Sequence, residues 1–363
     1  MMFKGQANSG FVIVRRVLIK CKTRAPTVSV PYGTVRIGSG SFKNNVDLVE
    51  IYLPSTVRSI DPRAFEGCVN LKRVHFVRGL VRIHERAFYG CRSLQEVVLP
   101  DTVGALGPYA FAFCLSVRRV TIPGSLRLMG EFAFLNNVSL ILLDIRDGVE
   151  TISSSAFEGC VSLESVTLPD SVTTLQSLCF LNATALKSVR FSKNLCSIGA
   201  CSFAYTALEE ACLPESVTEI GPDAFEHCVR LSAVTLPDKT KRISFRCFFQ
   251  CENLSCFDCP PDLEEIADEA FACSGLVRVS FGERLARIGG GAFRKTRLKT
   301  LRLPPSVDAI RDRAIEDVKA DSIWLSARLP RLGQNVFDRD ALDAVAYYQF
   351  NPYPDDAFLP PSQ

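Results

Sequence analysis

A phenylalanine returns along this chain at Phe42, Phe65, Phe88, Phe111, Phe134, Phe157, Phe180, Phe203, Phe225, Phe248, Phe271 and Phe293, and the series continues as Ile315 and Phe337. Nine of the thirteen gaps are 23 residues and four are 22. The short gaps follow Phe203, Phe271, Phe293 and Ile315, so changes in length fall at a turn. A unit of this size cannot bury an apolar stripe by itself. Successive units must stack so that each recurring position becomes a ridge inside one shared core.

Other columns fix the register. Five residues before each anchor stands an aliphatic residue, as at Ile37, Ile60, Ile83, Leu106, Met129 and Ile152, and the residue before the anchor is small, as at Ala64, Ala87 and Ala110. After the anchor comes a strand-like segment with apolar first, fourth and sixth places, such as Leu71, Val74 and Phe76. Nine of the fourteen units then place a proline, from Pro31 to Pro304, which cannot donate to a ladder and ends the strand. Stacking at the spacing of neighbouring strands makes a rod or arc about 65 Å long.

The units "LESVTLPDSVTTLQSLCF" and "LEEACLPESVTEIGPDAFEHCVRL" resemble the BspA-like leucine-rich repeat, and the resemblance covers about residues 27–345. It implies an α/β solenoid, right-handed and curved, with a parallel sheet on its concave face and short turns or helical pieces on the convex side. It also implies a surface adhesin or an interaction scaffold, since no catalytic residue belongs to the motif.

The array bounds the rest. Residues 27–345 form the repeat domain, residues 346–363 a C-terminal cap and tail, and residues 1–26 a basic cap or degenerate first coil with Phe11, Val14 and Ile19 facing inward. Residues 1–46 hold eight Lys or Arg and no acid, a composition that also suits a mitochondrial presequence. No run of 18 apolar residues suggests a transmembrane helix, and the early Phe11–Val14 run is too short for a secretory signal. The cytoplasm is therefore favoured, with mitochondria or the cell surface as alternatives. Lys and Arg exceed Asp and Glu by 42 − 39 = 3, which argues against a generally basic nucleic-acid surface. The difference conceals a basic start and an acidic finish at Asp338, Asp340, Asp343, Asp355 and Asp356.

Fifteen cysteines are an odd number, so they cannot all pair internally. Cys68, Cys91, Cys114, Cys160, Cys228 and Cys251 all lie three residues after an anchor and read as a ladder of buried thiols. Cys247, Cys251, Cys256 and Cys259 are dense enough for zinc, yet the register sends them to separate columns, so no metal is expected. Cys256 and Cys212 fall on exposed strand positions, and Cys212 is the thiol expected to be most reactive. His75, His84 and His227 have no partner at a triad spacing, and the glycines at 289–291 lack a phosphate-loop pattern. Asn137, Asn182 and Asn253 head glycosylation sequons, with Asn137 in the turn column. The expectation is a protein with no enzymatic activity, cofactor or small-molecule substrate.

Function is expected on outward strand positions. Their middle column reads Tyr52, His75, Val98, Thr121, Asp144, Thr167, Arg190, Cys212, Thr235, Asp258, Ser280, Arg302, Trp324 and Ala346. Lys72, Arg73, His75, Arg118 and Arg119 make a basic zone with Tyr52 beside it, and Arg278, Lys299 and Arg302 cluster with the only tryptophan, Trp324. Trp and Arg are enriched at binding hot spots, which points to a protein partner on the concave face. Nucleic-acid binding through the basic zones is a weaker alternative.

Overall fold

The computed structural model describes residues 10–326, 330–337 and 345–348. Most coils contribute two short strands and one anchor turn. The longer strands, usually of three residues, stack in parallel, as in Thr27–Ser29, Glu50–Tyr52 and Arg73–His75, where Val28, Ile51 and Val74 share a register. Two-residue strands form a second parallel ladder, beginning with Arg36–Ile37, Ser59–Ile60 and Arg82–Ile83. Alternation along each strand turns the aliphatic residues into the core, so Ile37, Ile60 and Ile83 are buried while Arg36 and Arg82 are exposed.

The chain is thus a β-solenoid of about fourteen turns. The α/β class and the helical pieces are corrected, because no helix occurs among the described residues. The reason lies in the anchor turn. Residues two before and two after the anchor hold positive φ, as at Arg63, Tyr109, Phe132 and Leu178 before it, and at Asn44, Gly67, Phe113 and Tyr205 after it. Helix needs consecutive negative φ, and these left-handed residues interrupt it twice per coil. They turn alternate N–H groups to one side. The N–H groups of Arg63, Phe65 and Gly67 accordingly donate forward to the carbonyls of Glu85, Ala87 and Tyr89 in the next coil, and later coils repeat the pattern.

Inside, the anchor rings form one stack. Twelve of the largest fully buried side chains include eleven anchors from Phe65 to Phe293, with Phe257 as the twelfth. Neighbouring rings lie nearly parallel, 4.9 Å apart for Phe65 and Phe88 and 5.6 Å for Phe157 and Phe180. The small residue beside each anchor leaves room for this stacking, and Ala64, Ala87, Ala110, Ala133 and Ala156 are fully buried.

The beginning departs from the projected register. Phe11–Val14 and Val17–Cys21 form an antiparallel hairpin closed by Arg15 and Arg16, both with positive φ, the geometry of a two-residue turn. Val17 and Leu18 then join the ladder beside Arg36 and Ile37. Leu18 is the buried residue, whereas Val14 and Ile19 are 53% and 49% exposed, because an antiparallel strand presents different side chains from a parallel coil. At the other end Val345–Tyr348 pairs alongside Ser322–Ser326. The remainder of the predicted C-terminal cap lies outside the described residues, as do the aspartates Asp338, Asp340, Asp343, Asp355 and Asp356. Among the described residues no helix is long and apolar enough to cross a membrane.

Candidate protein interface

The outward side of the longer strands carries both predicted zones. At the first, the Tyr52 and His75 rings stack 4.0 Å apart at 6°. Glu50, one coil before His75, joins its Nε2 at 2.9 Å and the Arg73 guanidinium at 3.5 Å. These partners, the His75 hydrogen bond first, hold the Glu50 carboxyl below its ordinary value. Lys72, Arg73, Arg118 and Arg119 are all exposed, but they do not form one patch. Gln95 and Glu96 occupy the coil between them, with Glu96 in register with Arg119. Arg73 is occupied by Glu50, so the basic zone is two separate pairs.

The second zone is more tightly assembled. Arg302 and Trp324 are direct register partners on adjoining strands, Thr300–Arg302 and Ser322–Ser326. The guanidinium carbon lies 5.8 Å from the centre of the half-buried Trp324 ring, within cation–π range. Lys299 is exposed on Arg302's own coil and Arg278 on the coil before it, and the Lys299 carbonyl accepts the Asp321 N–H at 2.7 Å.

The middle column is not uniformly outward. Thr121 is only 1% exposed, with its hydroxyl buried and unpaired, between Val98 and Asp144 in the register. Arg146, two residues beyond Asp144, reaches Asp101 two coils back at 2.8 Å. The remaining members include Cys212, which is exposed as the register requires, and Ser280, whose hydroxyl donates to Asp258 at 2.7 Å.

The cysteine column is packed. All six thiols are buried, and each donates to the backbone oxygen of an anchor in the preceding coil, from 3.1 Å for Cys68 and Phe42 to 3.6 Å for Cys160 and Phe134. Burial pushes Cys68, Cys114, Cys160 and Cys228 up to about 12, far from a reactive thiolate. Of the dense group, Cys247 and Cys251 are buried, Cys259 is half-buried and Cys256 is exposed. No three His, Cys, Asp or Glu among the described residues come together as a metal site. Asn137 is fully buried, and its Oδ1 accepts the Cys114 N–H at 3.0 Å, so this sequon is closed to modification.

Two further clusters escaped sequence reasoning. Arg86 lies over Tyr89 and Tyr109, the latter stacked on Phe132 at 4.6 Å. Arg246 lies 4.1 Å from the Phe249 ring centre and faces Asp223, Glu226 and Glu269. Desolvation raises the carboxyls of Asp223 and Glu226 above their ordinary values, against the pull of Arg246. Both clusters sit within two residues of an anchor or just before it, outside the apolar columns, and a comparison of those flanking positions alone was the signal available.

The BspA type leucine rich repeat region, in six copies, matches residues 35–160, 105–232 and 218–343. No curated protein matches the chain. Among solved structures, a leucine-rich repeat protein from Bacteroides ovatus ATCC 8483 is 24% identical, with 96% of this chain and 98% of that one covered and a TM-score of 0.62. One from Eubacterium ventriosum ATCC 27560 is 21% identical over 83% and 88% of the two chains, with a TM-score of 0.54. A leucine rich cell surface protein from Faecalibacterium prausnitzii A2-165 is 22% identical over 92% and 94%, with a TM-score of 0.52. These likenesses establish a common fold, and the repeat match, spread from residue 35 to residue 343, shows that the chain belongs to the BspA-type leucine-rich repeat family.

Proposed function

We propose that this protein is a non-enzymatic interaction scaffold that holds a protein partner against the outward face of its longer strands. The observation that carries this reading is the register pairing of Arg302 with Trp324, which puts a planar cation and a large ring side by side on a rigid surface. Such a pair offers wide contact at little cost in side-chain freedom. Lys299 and Arg278 extend the patch toward acidic groups. The Tyr52–His75 stack is a second anchor at the opposite end of the same face. Partner capture by wild type and by Arg302→Ala and Trp324→Ala variants tests the assignment. Loss of a wild-type partner is expected, and retention of every partner by both variants sinks it.

A second reading is adhesion at a cell surface, favoured by the fold shared with the Faecalibacterium cell surface protein. In this reading Asn182 and Asn253 are the sequons open to modification, since both are exposed. Recovery of the protein only from a cytosolic fraction, with Asn182 unmodified, excludes adhesion.

A further inference from the structure

The ladder of two-residue strands is interrupted between Glu219–Ile220 and Arg242–Ile243. No backbone hydrogen bond joins residues 218–220 to residues 241–244. In the preceding step the Gly221 N–H donates to Ile198 O at 2.8 Å, and in the following one Ala267 donates to Ile243 O at 2.9 Å. At the interruption the Ser244 hydroxyl instead takes Ile220 O, at 2.5 Å. Ser153 does the same to Met129 O at 2.6 Å, where the ladder is broken a first time. A serine side chain competes with its own backbone for the carbonyl, and the coil steps aside. Only this side opens at Ser244. Ala211 remains paired with Val234, and the Phe225 N–H still reaches Cys247 O at 3.0 Å.

The step leaves a trough of 790 Å³. Gly199 and Gly221 form its floor, where an added Cβ would lie 2.4 Å from Ser177 N and 2.5 Å from Ala200 N. Those coils can lie this close only without side chains. Gln176 stands at one end, its Oε1 accepting the Ser154 N–H at 3.0 Å, and residues 239–244 line the other. Three coil steps separate the ends, about 14 Å, the reach of about four residues of extended chain.

The lining selects among ligands. Thr174, Ser197, Thr218 and Thr240 bring hydroxyls, while the Thr218 carbonyl and the Lys241 and Ser244 amides lack the ladder partners they would have elsewhere. No aromatic ring lines the trough, so a sugar would find nothing to stack on. Glu215 and Glu219 would repel a polyanion. Of the three cations at the second end, Lys241 is 3.2 Å from Glu264 and Arg242 3.6 Å from Glu265, whereas Lys239 makes no ion pair among the described residues. A peptide main chain, alternating donors and acceptors, suits such a surface, and Lys239 beside the unpartnered Lys241 amide suits a terminal carboxylate.

We propose that this trough binds the last four residues of an extended polypeptide, with the terminal carboxylate held by Lys239 and the Lys241 N–H. The experiment uses a fluorescent tetrapeptide library with free C-terminal carboxylates, the same library amidated, and the full chain. Selected free acids should bind at least tenfold more tightly than their amides. Lys239→Glu and Ser197→Arg should each weaken binding at least tenfold. Ser59→Arg, the same column in another part of the ladder, should leave it unchanged. Arginine already occupies this column at Arg36, Arg82, Arg242 and Arg287, so the coil accommodates the substitution. Absence of any selected peptide, equal binding of acid and amide, or indifference to Ser197→Arg overturns the proposal.

Discussion

The Cys91 thiol donates to the backbone oxygen of Phe65, 3.2 Å away and 26 residues earlier in the chain. The same oxygen also accepts the Cys68 N–H at 3.1 Å, so the sulfur reinforces a bond that exists without it. Cys91→Ala should therefore lower stability by only about 1–2 kcal/mol, through lost packing and a weak hydrogen bond. Ala183 already holds the equivalent place. Urea unfolding of the two proteins checks this, and a loss above about 4 kcal/mol would assign the thiol a larger role.

Alkali should unfold the protein steeply. Burial pushes Cys68, Cys114, Cys160, Cys179 and Cys228 from 9.0 up to about 12. A folded value raised above the unfolded one means that the native state holds the proton longer. The associated stability is complete below pH 9 and is lost as pH rises from 9 to 12. Each such thiol contributes a slope of about 1.4 kcal/mol per pH unit in that window. Unfolding midpoints measured between pH 8 and 11 should fall, and replacing these cysteines by alanine should flatten the curve.

Native alkylation should divide the fifteen cysteines by exposure. Cys196, Cys212 and Cys256 are exposed and should be labelled by iodoacetamide in minutes at pH 8, while the six-member column should react only on unfolding. Peptide mass mapping reads the division directly. Rapid labelling of Cys91 in folded protein would contradict the packing.

Two glycines should respond oppositely. Gly221→Ala places a Cβ 2.5 Å from Ala200 N and should cost about 2–4 kcal/mol, since backbone must move. Gly90, at φ +71, has nothing within 4 Å of its added Cβ, and Asn44, Asn136 and Asn182 hold the same place in other coils. Gly90→Asn should change stability by less than about 1 kcal/mol. Thermal unfolding of both variants separates close coil contact from backbone conformation.

Removing the Ser244 hydroxyl should mend the ladder. In Ser244→Gly the carbonyl of Ile220 is left for the residue 244 amide, the arrangement Gly221 makes with Ile198. Amide exchange at residue 244 should slow at least tenfold, while exchange at Phe225, already bonded to Cys247 O, stays unchanged.

The repeat, its register and the buried columns were legible because Phe, Ile and Ala recur at fixed spacing and burial is the one force that acts identically on every coil. The second ladder was not. Strands such as Ser59–Ile60 are two residues long, and a two-residue strand displays no alternation to read. The left-handed residues were hidden for a related reason: Tyr109, Phe132 and Leu178 occupy a conformation that sequence rules reserve for glycine or asparagine, imposed by the neighbouring coils. Of the candidate site, the Arg302–Trp324 adjacency followed from register alone. The gap in the basic zone did not, since Glu96 interrupts it only when coils are laid side by side. The hairpin at the start and the serine-made trough depend on single departures from the repeat, which a reading built on recurrence discards.

The forward-running hydrogen bonds of the anchor turn give its peptide units one electrical direction, and the strand ladders carry bonds of the opposite sense. Peptide units carry dipoles of about 3.5 D, and those in an ordinary sheet largely cancel. Here Phe65, Phe134, Phe225 and Phe293 all donate toward the C-terminal coils, and neither interruption of the second ladder reverses them. Their axial components oppose those of ladder bonds such as His84 N–H to Ile60 O and Lys72 N–H to Val49 O, which run toward the preceding coil. Each coil is thus tied to its neighbours by donors running both ways, so peeling either end of the array breaks amide donors and carbonyl acceptors together.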